Sequence, residues 1–175
     1  IEGIARPVSD WVRTSRSADD IGNDAAAAVN ASMKPPGGVS TLILPADTAW
    51  TQTASVADAL GGQVAPCVSD EVIEACATVL NLNEPTMLVV GGKGLRADAL
   101  AYVGAIARQC GVEVRAEFGS ARTERGAGRV PIERVPYVVG QALEVTKHIR
   151  HVILIGAKTP VAFFAYPDLP SLLIP

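Results

Sequence analysis

A Rossmann-like α/β fold, a parallel sheet with flanking helices, is predicted by three features of the sequence. The apolar run Thr86-Met-Leu-Val-Val90 enters a glycine turn, Gly91-Gly-Lys-Gly94, and passes into residues whose apolar members recur at helical spacing. Two further apolar runs, Val112-Glu-Val-Arg-Ala116 and Val152-Ile-Leu-Ile155, follow at intervals long enough to hold a helix each. The connection between the first two closes at Cys110-Gly111, a helix stop followed at once by a strand. Strands starting near 86, 112, 152 and 172, joined by helical crossovers, give a parallel sheet.

Taken in order, residues 1–18 are polar and turn-like, and Asp19 or Asp20 can cap an Ala-rich helix bearing Ile21, Ala25, Ala28 and Val29 on one face. Pro35-Pro-Gly-Gly38 ends it. Val39-Ser-Thr-Leu-Ile-Leu44 then reads as a buried strand with no partner strand of its own nearby, closed by Pro45-Ala-Asp47. From Thr48 to Pro66 no period holds, and Gly61-Gly62 marks a connecting segment, with Trp50 packing it onto a neighbour. Ser69 opens an amphipathic helix carrying Val72, Ile73, Cys76, Val79 and Leu80, with Asp70 and Glu71 in its first turn. After the central strand, the helix from Arg96 to Gln109 presents Leu100, Val103, Ile106 and Ala107. A loop rich in Gly and Arg runs from Phe118 to Val135, Pro136 starts the next helix, and Ser171-Leu-Leu-Ile174 supplies a last strand.

The composition bounds what the chain can do. It has 175 residues, of which 49% are hydrophobic, enough to bury a sizeable core. A formal net charge of −3 gives no general attraction for nucleic acid or an anionic membrane. Cys67, Cys76 and Cys110 are scattered and form no CxxC, so neither a disulfide framework nor a zinc site is indicated, and a reducing cytoplasm is the expected compartment. No apolar stretch reaches the ~18 residues that span a bilayer. The chain lacks an initiator Met and stops inside an apolar run, so both ends read as cut from something longer.

Within the glycine turn, Gly92-Lys-Gly-Leu-Arg-Ala97 fits G-x-G-x-x-G/A. The first glycine permits the turn, the second lets backbone N–H groups approach a phosphate, and the small third residue lets helix and strand pack closely. A phosphate would then lie on the helix N-terminus. Glu117 follows about 20 residues on, where an acidic partner for a ribose belongs. The same residues serve equally as a plain strand-to-helix turn. Around the strand ends, Gly91 to Gly94, Glu117 to Gly119 and Gly156 to Lys158 would frame one crevice. Arg122, Arg125, Arg129 and Arg134 are interspersed with Glu124 and Glu133, the pattern of a solvated loop with local ion pairs. His148 and His151 have no acid or cysteine beside them in sequence and suit a helix C-terminus better than a metal pair. Neither G-x-S-x-G nor paired carboxylates occur at the strand ends, so no self-sufficient active site is legible.

Two stretches together resemble a family. Pro36-Gly-Gly-Val-Ser-Thr-Leu-Ile-Leu-Pro-Ala-Asp47 is similar to the close of the pyrimidine-binding domain in thiamine-diphosphate-dependent enzymes of the acetolactate synthase and benzoylformate decarboxylase group, with Gly38 in place of the usual Pro. Pro85 to Gly94, Gly111 to Val114 and Val152 to Ala157 resemble that family's central domain. The resemblance implies residues 1–47 as the end of the pyrimidine-binding domain, 48–67 as a linker and 68–175 as an incomplete central domain. It implies a parent roughly three times longer, at ~150 residues per domain, that decarboxylates a 2-oxo acid using thiamine diphosphate and Mg2+. The activating glutamate and the metal-binding G-D-G…N segment of such a parent lie outside this sequence, so the chain alone is expected to be inactive. Members that keep FAD or ADP hold it at the glycine turn and neighbouring strand ends. By position this points at Gly91, Gly92, Lys93, Gly94, Glu117, Gly156, Ala157 and Lys158, and at Arg6. The aromatic turn Phe163-Phe-Ala-Tyr-Pro167 departs from the polar stretch of the flavin-binding members. The resemblance also implies a homodimer or homotetramer. The alternative is a free-standing ADP-, FAD- or NAD-binding module without catalysis.

Overall fold

The computed structural model describes residues 1–54 and 56–175. They divide into two compact units, Ile1–Cys67 and Val68–Pro175.

The first unit runs α1 (Glu2–Ala5), β1 (Trp11–Thr14), α2 (Ile21–Met33), β2 (Ser40–Ile43) and α3 (Ala46–Trp50). The two strands pair in parallel, Trp11 opposite Ser40 through Thr14 opposite Ile43. This corrects two expectations: residues 1–18 contain a strand, and the 39–44 segment has a partner. β1 is four residues long and carries Arg13 among its apolar members, too short to give a period. It is aligned by Asp10, whose backbone N–H donates to the Val39 carbonyl and whose carboxylate accepts the Val39 N–H, both at 2.9 Å. β2 is half-buried along its length instead of fully buried. Trp50 is 87% exposed instead of packed down.

The buried polar centre of this unit is Asp24 on α2. Its carboxylate accepts from the Arg13 guanidinium at 2.8 Å and from the Ser15 hydroxyl at 2.9 Å. The Arg13 hydrogen bond first, and the Ser15 bond against some desolvation, hold its carboxyl below the ordinary aspartate range. A carboxyl whose folded pKa is depressed stabilises the fold above its unfolded pKa and loses that contribution as pH falls through the folded one. Asp24→Asn is therefore expected to lower the first unit's stability at pH 7. The difference from wild type should shrink as pH drops below about 3.9, the unperturbed aspartate value. Both tryptophans, Trp11 and Trp50, lie in this unit, so thermal melts followed by tryptophan fluorescence at pH 7 and pH 3 check it. A pH-independent difference would assign the effect to packing and not to charge.

The second unit runs α4 (Asp70–Leu80), β3 (Thr86–Val90), α5 (Ala97–Cys110), β4 (Glu113–Ala116), β5 (Glu133–Arg134), α6 (Val139–Thr146) and β6 (His151–Ile155). Its sheet has the order β5-β4-β3-β6 with every pairing parallel. β3 is central and all five residues are buried, as a parallel strand covered on both faces should be. Its alternation feeds two cores. Met87 and Val89 meet Val135, Val139, Ala142, Ile149 and Leu173, while Leu88 and Val90 meet Leu95, Leu100, Val103, Ala116 and Ile132. Helix α5 stops at Gly111 in the left-handed conformation, φ +67°.

Two expectations for this unit are corrected. The fourth strand is β5, a two-residue edge, and Ser171–Ile174 forms only an isolated antiparallel bridge between Leu172 and Val161. Leu173 is nonetheless buried, and Pro170 and Pro175 leave little backbone free to extend a ladder. Pro136 stands outside α6, whose N-cap is Val138. Helix α4 covers the sheet only loosely: none of its residues is fully buried, Cys76, Val79 and Leu80 are half-buried with Leu80 against the second core, and Val72 is 52% exposed. Among the described residues no helix is long and apolar enough to cross a membrane.

Candidate functional site

The sheet order itself locates a crevice. From β3 the chain builds outward through β4 and β5 on one side, then returns to place β6 on the other. That reversal separates the crossover helices and leaves a gap beyond the carboxyl ends of β3 and β6, where α/β sheets take ligands. Gly91 follows β3, Gly156 follows β6, and Glu117 follows β4.

Backbone bonds carry the sheet one residue past its strands. The Gly91 N–H donates to the Ile155 carbonyl at 2.9 Å, and the Glu117 N–H to the Val90 carbonyl at 2.8 Å. Gly156 then turns with φ +60°, a conformation that favours glycine. The result is crowded. A Cβ on Gly91 would lie 2.5 Å from Glu117 Oε2, 2.6 Å from the Gly156 carbonyl oxygen and 3.0 Å from Ala157 Cα. Glu117 Oε1 accepts the Lys158 backbone N–H at 3.1 Å. The structure thus brings together Gly91, Glu117, Gly156, Ala157 and Lys158. Gly92 and Lys93 are exposed on a 3₁₀ turn, Gly92–Leu95, that separates β3 from α5. Gly94 lies against the core, where a Cβ would meet Val90 Cγ1 at 2.7 Å. Arg6 belongs to the first unit and pairs there with Glu2 at 2.8 Å.

The N-terminus of α5 has an occupant that the sequence did not disclose. The Ala97 N–H donates to Glu124 Oε2 at 3.0 Å, and the Glu124 N–H donates to the Leu95 carbonyl at 3.2 Å. Arg122 and Arg129 reach the same carboxylate at 3.5 and 3.8 Å. Glu124 comes from the middle of the loop after β4, and nothing in its spacing points back to a helix 27 residues earlier.

Beside the crevice lies a cleft of about 550 Å³ whose walls include Glu117, Phe118, Tyr137, Lys158, Phe163 and Leu173. The aromatic turn joins it: Phe118, Tyr137 and Phe163 have centroids 5.1 to 6.5 Å apart, and Phe164 and Tyr166 extend the chain of rings. Desolvation, then its neighbour Tyr166, raises the Tyr137 phenol above the ordinary tyrosine range. A larger cleft of about 650 Å³ follows the β4–β5 edge between Arg115, Arg125 and Glu133, away from the strand ends. The two histidines separate: His148 faces Glu113 and His151 faces Glu84, acids 35 and 67 residues distant in sequence. Among the described residues no three His, Cys, Asp or Glu side chains gather as a metal site.

A parallel sheet that reverses order at its central strand, with glycine turns at the reversal and helices flanking it, defines a Rossmann-like α/β unit. No family model matches the chain. A Mycobacterium tuberculosis protein provisionally named acetolactate synthase large subunit IlvX is 38% identical over 175 residues, covering 100% of this chain and 33% of that protein. A crystal structure from Mycobacterium smegmatis, provisionally described as a thiamin diphosphate-dependent enzyme, shares the fold at a TM-score of 0.68 and 23% identity, over 98% of this chain and 33% of that one. The chain therefore spans about a third of the length of the relatives it matches. Over its whole length it is similar to part of an acetolactate synthase large-subunit-like protein.

Proposed function

We propose that the chain is one part of a thiamin diphosphate-dependent enzyme of the acetolactate synthase type, which decarboxylates a 2-oxo acid and joins its acyl unit to a second carbonyl compound. The observation that carries this is 38% identity running unbroken through both units. Residues 1–47 then form the end of a pyrimidine-binding domain, 48–67 a linker and 68–175 a central domain. Thiamin diphosphate with Mg2+ supplies the decarboxylation chemistry when bound, through residues outside these 175. The small 2-oxo acid substrate, a homodimeric or homotetrameric assembly and a cytoplasmic location belong to the same reading. A free-standing ADP-, FAD- or NAD-binding module is not favoured, because the likeness is not confined to the second unit.

Carbon dioxide release from a panel of 2-oxo acids by the product of the complete reading frame tests the proposal. Release is expected only with thiamin diphosphate and Mg2+ present, and none from the 175-residue chain alone. A full-length product that releases nothing from any 2-oxo acid with the cofactor added overturns it.

Within this reading Gly91, Gly92, Lys93, Gly94, Glu117, Gly156, Ala157 and Lys158 are the crevice at which the central unit would meet FAD or ADP, with Arg6 in the first unit as a further basic candidate. Either ligand would bring a diphosphate to the glycine turn. The residues found there do not fit one.

A further inference from the structure

We infer that Glu117 and Glu124 close this crevice to phosphate-bearing nucleotides, so that the glycine turns act as a joint between strand ends and not as a cofactor cradle. A diphosphate in a unit of this topology is received at two places, the glycine turn and the N-terminus of the following helix. At each, one of the chain's own carboxylates stands in the way and holds a backbone N–H. At the turn, Glu117 lies against the Gly91 α-carbon and accepts the Lys158 N–H. At the helix, Glu124 accepts the Ala97 N–H and is held in return through its own N–H.

The glycines themselves are accounted for without a ligand. Gly91 is small because Glu117 Oε2 and the Gly156 carbonyl stand where its Cβ would be, and Gly94 because Val90 Cγ1 does. Gly92 and Gly156 have φ of +50° and +60°, which a turn requires whether or not anything binds to it. Two of the nearby cations are already engaged. Arg122 and Arg129 already face Glu124, and Lys158 contributes its backbone N–H to Glu117. An arriving diphosphate would meet two like charges at these positions.

The inference stands on the crevice's own atoms and not on the thiamin reading, so the two fail separately. Calorimetric titration of ADP, and separately of FAD, into the whole 175-residue chain tests it. Wild type is expected not to saturate at about 1 mM nucleotide. The double variant Glu117→Gln with Glu124→Gln keeps an oxygen acceptor for both N–H groups and removes both charges. It is expected to bind ADP at least about tenfold more tightly. If the double variant does not fold, Glu117→Gln alone carries the same comparison at the same threshold. Saturable micromolar binding by wild type overturns the inference, as does a folded variant that binds no more tightly than wild type.

Discussion

Gly91→Ala is expected to destabilise the second unit by about 2–3 kcal/mol, the cost of overpacking a site that cannot give. The added methyl carbon would sit 2.5 Å from Glu117 Oε2, which a side-chain rotation can relieve. It would also sit 2.6 Å from the Gly156 carbonyl oxygen and 3.0 Å from Ala157 Cα, which only a shift of the backbone after β6 can relieve. That backbone is pinned by the Gly91 N–H bond to Ile155 and by the left-handed turn at Gly156. Far-UV circular dichroism should show the melting loss, while tryptophan fluorescence, whose two reporters are both in the first unit, should show none. An unchanged melt would mean that the strand ends can part without cost, and the joint would then have no rigidity.

Leu88→Ala carries the largest expected effect, a loss of about 2–5 kcal/mol in the second unit. Leu88 is 1% exposed at the centre of β3 and packs in the core formed with Leu95, Leu100, Val103, Ala116 and Ile132. Truncation removes burial from the strand that every other part of the sheet leans on, and close neighbours on two elements leave little room to collapse into the cavity. Val72→Ala on α4 is the matched comparison. It deletes apolar carbon from a half-exposed position outside either core and should change stability by no more than about 0.5 kcal/mol. Denaturant unfolding of both variants ranks them, and equal losses would show that α4 is packed in solution.

The difference between these positions was legible in part. The run Met87 to Val90 declared itself because four consecutive buried apolar residues leave a signature that no polar position interrupts. Gly111 declared its helix end, because only a residue tolerant of positive φ closes a helix that way. β1 and β5 stayed hidden, being four and two residues long, with their pairing set by partners 29 and 18 positions away. The stripe on α4 has the right period, yet periodicity reports which face is apolar and not whether anything covers it. The crevice follows the same division. Gly91, Glu117 and Gly156 could be placed together because strand order follows from chain order in a parallel sheet. That Glu117 would turn inward, and that Glu124 would return to cap α5, depends on side-chain reach across loops, which spacing does not encode.

The central position of β3 also bears on how the chain is made. Its register joins Met87 to Glu113 on one side and Thr86 to His151 on the other, partners that leave the ribosome 26 and 65 residues later. During that interval an uncharged, β-branched segment waits with one edge open, in a topology whose non-local pairings close slowly. Until β6 is synthesised, this segment is the part of the second unit most prone to pair with another nascent chain. The loop that carries Glu124 back to α5 is complete before then, so the N-terminus of that helix is capped while the strand still waits.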